Sequence, residues 1–108
     1  MVVVVEYEDG GGTRPFGTWF ATLNTPAALK IRTAIARLEM GNFGNVKSVG
    51  QGVNECRVNF GPGYRIYFGR DGDKLVILLG GGTKRRQSQD IGAAKVHWSA
   101  YKRRKTSR

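Results

Sequence analysis

The spacing of apolar positions changes period twice along this chain. Val2-Val3-Val4-Val5 is an unbroken β-branched run and predicts a strand over Val2–Tyr7, because branched side chains suit an extended backbone. Asp9-Gly10-Gly11-Gly12 interrupts it. The period then becomes helical: Phe16, Trp19, Phe20 and Leu23 fall at i, i+3, i+4 and i+7. This helix is expected to start at Thr13 or Arg14, with Pro15 tolerated in its first turn. A second helix follows, with Thr25 as N-cap and Pro26 at its first position. Ile31, Ala34, Ile35 and Leu38 form its buried stripe, Lys30, Arg32 and Arg37 point elsewhere, and Gly41 ends it. The connection through Asn24-Thr25-Pro26 is short enough to make the pair a helical hairpin.

After Gly41 the period falls to two. Val46–Val49 reads as a short strand, and Glu55–Phe60 and Tyr64–Gly69 as alternating strands joined by the tight turn Gly61-Pro62-Gly63. Leu75–Leu79 is continuously apolar, as in a strand buried on both faces. Gly80-Gly81-Gly82 then releases the chain into a polar, basic segment, Thr83–Gln89. Asp90 is expected to cap a last helix with Ile91, Ala94, Trp98 and Tyr101 on one stripe and Lys95 and Lys102–Lys105 on a basic face. The resulting order, β-α-α-β-β-β-β-α, predicts an α+β fold with a mainly antiparallel sheet. One domain is expected over 1–102, followed by a frayed basic tail at 103–108.

Composition narrows the function classes. Lys and Arg number 18 against 8 acidic residues, a net charge of +10. That excess points to a polyanionic partner, the alternative being a solvated basic surface. Cys56 and His97 are the sole residues of their types, which excludes an intrachain disulfide and any two-histidine metal site. No metal or other cofactor is expected. The valine run is far too short for a signal segment or a membrane span, so the expected setting is the cytoplasm.

Strand alternation adds a sharper expectation. With Gly61-Pro62-Gly63 as the loop, Phe60 sits opposite Tyr64, Asn59 opposite Arg65, Val58 opposite Ile66 and Arg57 opposite Tyr67. Val58, Phe60, Ile66 and Phe68 then pack on the helices, while Arg57, Asn59, Arg65 and Tyr67 share the other face. Two arginines on one sheet face repel each other and serve stability poorly, but guanidinium forks grip phosphate well. Tyr67 beside them suits stacking on a base. The alternative is an ordinary wet sheet face. Lys84, Arg85 and Arg86 add three cations after the buried strand, either as phosphate ligands or as solvated charges. The glycines before them lack the spacing of a nucleotide phosphate loop. His97 and Cys56 read as structural.

Specific blocks carry a resemblance. Gly41-Asn42-Phe43-Gly44-Asn45-Val46-Lys47-Ser48-Val49-Gly50, then Glu55-Cys56-Arg57-Val58, then Phe60-Gly61-Pro62-Gly63-Tyr64-Arg65-Ile66-Tyr67-Phe68, then Leu78-Leu79-Gly80-Gly81-Gly82-Thr83-Lys84 with Gln87 and Asp90-Ile91, resemble the phage-type addiction-module killer proteins. These are a HigB-like branch of the RelE/ParE toxin superfamily, and the similarity spans Phe16 to Tyr101. The resemblance implies a RelE-like fold in which an N-terminal helical hairpin covers one side of a twisted sheet and a basic concave face binds RNA. It implies the toxin of a type II toxin–antitoxin system, a prokaryotic growth inhibitor that cleaves messenger RNA on the ribosome as a metal-independent endoribonuclease. The implied partners are a helix-turn-helix antitoxin, in a hetero-oligomer, and the ribosome with its messenger RNA; no membrane is involved.

By motif, the catalytic residues implied are Arg57, Arg65 and Lys84. Lys47 matches at the edge of the site, and Arg85 shares the neighbourhood of Lys84. Asn59, Tyr67 and Arg86 complete the expected RNA-binding set. Arg57 and Arg65 would neutralise the phosphate attacked by a ribose 2′-hydroxyl, and Lys84 would move a proton. The chain departs from the family pattern at Asn45 and Thr83, where Asp is usual, and at Cys56, where Leu is usual. Two alternatives stay open: a ParE-like inhibitor of DNA gyrase on the same fold, and a non-catalytic or decayed nucleic-acid-binding member.

Overall fold

The β-branched run at the start of the chain takes one edge of a five-stranded sheet. The computed structural model describes residues 1–106. In them β1 (Val3–Glu6) leads to α1 (Pro15–Phe20) and α2 (Thr25–Glu39), then to β2 (Val46–Gly50), β3 (Val53–Val58), β4 (Tyr64–Arg70) and β5 (Leu75–Thr83). One 3-10 turn, Lys84–Arg86, joins β5 to the long α3 (Gln87–Thr106). The strands lie in the order β1-β5-β4-β3-β2. β1 runs parallel to β5 and the other three pairings are antiparallel. The fold is therefore α+β with a mixed sheet.

Helices cover both faces. Phe16 of α1 and Ala27, Ile31, Ala34 and Leu38 of α2 pack on Cys56, Val58, Ile66, Phe68, Val76 and Leu78. Ala94 and Trp98 of α3 pack on Val53, Tyr67, Ile77 and Leu79 from the opposite side. The expected stripes thus lie where their spacing put them. The continuous apolar run in β5 has the expected cause, since alternate residues enter different cores.

The helix ends follow local chemistry. α2 is capped by Asn24, whose Oδ1 accepts from the Ala27 amide at 3.0 Å, one residue earlier than the Thr25 cap expected from the sequence. At its far end Gly41 takes φ +81°, the Gly41 amide donates to the Leu38 carbonyl at 2.9 Å and the Asn42 amide to the Arg37 carbonyl at 2.8 Å. This is the paired closure that a glycine after the last turn permits.

Four further expectations change. First, β5 does not stop at Leu79 but continues through the three glycines to Thr83, with Tyr67 opposite Gly80, Ile66 opposite Gly81 and Arg65 opposite Gly82. The glycines are used for close approach: a Cβ at Gly81 would collide with the Trp19 ring, and one at Gly82 with the Asp90 carboxylate. Second, α3 begins at Gln87, so Asp90 lies in its first turn and is not its cap. Third, α3 continues through the supposed tail to Thr106. There Arg104 donates to the Glu8 carbonyl at 2.8 Å and Lys105 pairs with Asp71. Residues 107 and 108 of that tail lie outside the described residues.

The fourth change is in register. Val58 is opposite Tyr64, Arg57 opposite Arg65, Cys56 opposite Ile66 and Glu55 opposite Tyr67. The pairing differs from the expected one by two residues, because the connection spans residues 59–63 and not only the Gly-Pro-Gly triplet. Gly61 and Gly63 both take positive φ, Phe60 donates to the Val58 carbonyl and Gly63 to the Phe60 carbonyl, so the ladder opens before Asn59. A shift of two preserves the facing of every side chain.

The glycine packing predicts a graded stability series. Gly81→Ala should cost about 1–3 kcal/mol, the usual result of forcing a methyl into a filled site. Gly10→Ala, where nothing lies within 4 Å of the added carbon, should change stability little. Urea unfolding midpoints of the two variants check this, and equal midpoints would refute the packing role of Gly81.

Candidate functional site

β3 and β4 set out charged and polar side chains in rows on the α3 face. Glu55, Tyr67 and Gly80 form one row, and Arg57, Arg65 and Gly82 the next. Two arginines directly across neighbouring strands repel one another. The structure answers with Glu55, whose side chain is 0% exposed and whose Oε1 lies 3.5 Å from Arg57 Nε and 3.8 Å from Arg65 Nε. Its Oε2 accepts from Gln87 Nε2 at 2.7 Å. One carboxylate thus faces two guanidinium groups and leaves their surroundings net positive. Arg65 is nearly closed off, with its side chain 7% exposed and its Nη1 donating to the Tyr64 carbonyl at 3.2 Å. Arg57 is 45% exposed.

Tyr67 does not join the open surface. It is fully buried under α3, and its hydroxyl lacks a hydrogen-bond partner of full geometry. Burial, reinforced by the Glu55 and Asp90 carboxylates, pushes its phenol far above the ordinary range. This placement removes the ring from the open surface on which stacking on a base is expected: alternation puts the side chain on the right face, but α3 covers that face at Tyr67.

Three adjoining grooves open where β3 leaves the sheet. The first, about 510 Å³, runs between α2 and β3 and is lined by residues including Lys30, Arg37, Arg57, Asn59 and Phe60. The second, about 350 Å³, follows the turn from Asn59 to Gly63 and is closed by Arg65 and Lys84. The third, about 280 Å³, lies against β2 and is lined by Lys47, Arg57 and Asn59 among others. No carboxylate lines any of the three. Lys84 is held at the mouth of the second groove by its backbone amide, which donates to the Gly63 carbonyl at 2.8 Å.

Arg57, Arg65, Lys84, Lys47 and Asn59 are therefore brought together at one end of the sheet. Arg85 and Arg86 are exposed on the 3-10 turn and line none of these grooves, and Arg86 Nε lies 4.0 Å from Asp90 Oδ1. Among the described residues no group of three His, Cys, Asp or Glu side chains is placed to hold a metal ion, and no helix is long and apolar enough to cross a membrane.

No family model matches the chain. A protein of Haemophilus influenzae, described as an uncharacterized protein, is 46% identical over 85 residues, which cover 78% of this chain and 86% of that protein. The chain belongs to the same family as that protein. The family relationship rests on most of both chains and leaves the chemistry to be argued from the site.

Sequence reasoning missed four contributors. Glu55 was legible only as the residue two before Arg57, and its role depends on the register. Gln87 was assigned to a loop before the last helix. Lys30 and Arg37 were read as pointing away from the core, yet their i, i+7 spacing opens both onto one groove.

Asp90 provides a pH prediction. The helix N-terminus and Arg86 favour its charge, but burial dominates and raises its pKa above the ordinary value. A raised carboxylate makes the folded state bind its proton more tightly than the unfolded chain does. That contribution is present below the unfolded carboxylate range and is lost as pH rises through the folded value. Asp90→Asn should therefore gain stability relative to the native chain between mildly acidic and neutral pH. Denaturant midpoints measured across that interval check it, and a difference that shrinks with rising pH would refute it.

Proposed function

We propose that the chain is a RelE/ParE-type toxin of a type II toxin–antitoxin system, cutting messenger RNA at the ribosome as a metal-independent endoribonuclease. The observation that supports this reading is the convergence of Arg57, Arg65 and Lys84 on grooves without a lining carboxylate. Such a site attracts phosphate, and its donors are fixed by the fold before substrate arrives. The RelE-like assignment rests on the sequence blocks that include this site.

In the proposed reaction the ribose 2′-oxygen bonds to the adjacent phosphorus as the bond from phosphorus to the 5′-oxygen breaks. The products are a 2′,3′-cyclic phosphate and a 5′-hydroxyl, with one proton leaving the 2′-oxygen and one reaching the 5′-oxygen. Arg57 engages Glu55 through Nε and turns its terminal nitrogens to the phosphate. Arg65 adds positive potential from behind. Lys84, across the second groove from Asn59, carries a proton at one end of the transfer. The partners are a helix-turn-helix antitoxin, which would silence the site in a hetero-oligomer, and the ribosome.

The closure of Arg65 and Tyr67 favours a second reading, in which the same grooves bind RNA without cutting it. Induction in growing bacterial cells, followed by mapping of transcript ends, separates the two. The toxin reading expects arrested growth and new ends within translated regions, with Arg57→Ala reducing cleavage on the order of 100-fold, as for loss of one charge-stabilising donor. Normal growth with intact transcripts would reject it. Inhibition of supercoiling by purified protein, with translation unaffected, would transfer the chain to the gyrase-directed branch.

A further inference from the structure

The groove between α2 and the end of β3 lies on the side of the sheet away from α3, outside the pocket that holds Arg65 and Lys84. Lys30, Thr33, Ala34 and Arg37 line its α2 wall. These are positions i, i+3, i+4 and i+7 of one helix, so they form a continuous strip about two turns long. Its ends are cationic and its middle is small, which leaves room for a chain between the two charges. Lys30 and Arg37 are exposed and join no ion pair among the described residues. The opposite wall carries Asn42, Asn45 and Asn59, whose amides both donate and accept hydrogen bonds. Phe60 closes one end, half-buried, with Lys30 Nζ 5.4 Å from its ring centroid. Arg57 and Asn59 belong to this groove and to the third, and Asn59 also to the second.

We infer that this groove is a second subsite for single-stranded RNA, holding the sugar–phosphate chain next to the segment bound at Arg57 and Lys84. The inference rests on the RNA-binding part of the proposed function and not on cleavage. Lys30 and Arg37 take phosphates, and the asparagine amides donate to ribose oxygens and pair with base edges. The Phe60 ring offers the aromatic surface that Tyr67, buried beneath α3, does not. An acidic peptide would use the cations and pair its backbone with the asparagine amides, but its carboxylate side chains bring no planar group to the Phe60 ring, so RNA is the better match.

The test is fluorescence anisotropy with a labelled, short, single-stranded RNA whose 2′-positions are methylated, so that it binds but is not cut. Lys30→Ala/Arg37→Ala is compared with Arg32→Ala/Lys74→Ala, which removes the same charge away from the groove. Both Lys30 and Arg37 are exposed helix positions, and thermal melts confirm that each variant folds. The groove variant should bind about tenfold or more weakly than the control variant. Its slope of log affinity against log salt should fall by about 0.7 for each phosphate that the variant no longer neutralises. Equal affinities and slopes for the two variants would overturn the inference, as would absence of RNA binding by the native chain. A polyglutamate peptide that displaces the RNA and depends more strongly on Lys30 and Arg37 would overturn the choice of occupant. Groove-dependent binding by a chain that cuts no transcript would leave this inference standing and reject the nuclease.

Discussion

A single buried carboxylate allows two arginines to face each other across β3 and β4. Arg57 and Arg65 are register partners, and without a countercharge their repulsion would oppose the strand pairing itself. Glu55 sits one row away on the same face, fully enclosed, with one oxygen toward both guanidinium groups and the other held by Gln87. Stripping water from such a carboxylate is expensive, and leaving it unpaired costs roughly 3–5 kcal/mol. The arrangement is therefore mutual: the arginines give Glu55 its countercharges in the interior, and Glu55 fixes where the arginines lie. Its charge is one against two, so the cluster remains cationic toward the grooves.

The position of α3 follows from how closely backbone and side chain can approach. Trp98 rests where a Cβ on Gly69 or Gly52 would stand, and the Asp90 carboxylate rests against Gly82. These contacts draw the helix down over the row that contains Tyr67. What would otherwise be an open sheet face becomes a second core. The charged row at Arg57 and Arg65 lies at the end of this cover, so the basic site is a rim and not a broad concave platform.

Periodicity made much of this legible in the sequence. The stripes Phe16–Leu23, Ile31–Leu38 and Ile91–Tyr101 could face only a core, and alternation correctly put Arg57 and Arg65 on one face and Val58 and Ile66 on the other. The register was missed because positive φ at Gly61 and Gly63 lengthens the connection, a property that a Gly-Pro-Gly triplet alone does not reveal. Alternation also says which face a side chain takes but not what covers that face, and so Tyr67 was misread. Gly80–Gly82 looked like a break because glycine serves both turns and tight packing, and only the partners Trp19 and Asp90 distinguish the two. Lys30 and Arg37 looked like solvated charge because a helix pattern cannot show the asparagine-lined wall opposite.

The distribution of charge, more than its total, directs the functional argument. Among the described residues, four of the eight acidic residues, Glu8, Glu55, Asp71 and Asp90, are engaged in ion pairs, and none of the eight lines the three grooves. A solvated basic surface would scatter its compensating acids among its cations. Here the one acid within the arginine cluster, Glu55, is enclosed behind it, and no acid lines the grooves that share Asn59, where Arg57, Lys84 and the α2 cations are reachable from solvent. Since Tyr67 is enclosed and Arg65 nearly so, any anion gripped there meets Arg57 and Lys84 first. Arg65 could then act on such an anion only through its field. The anion would meet a guanidinium held from behind by Glu55 and a lysine tethered through its backbone amide to Gly63.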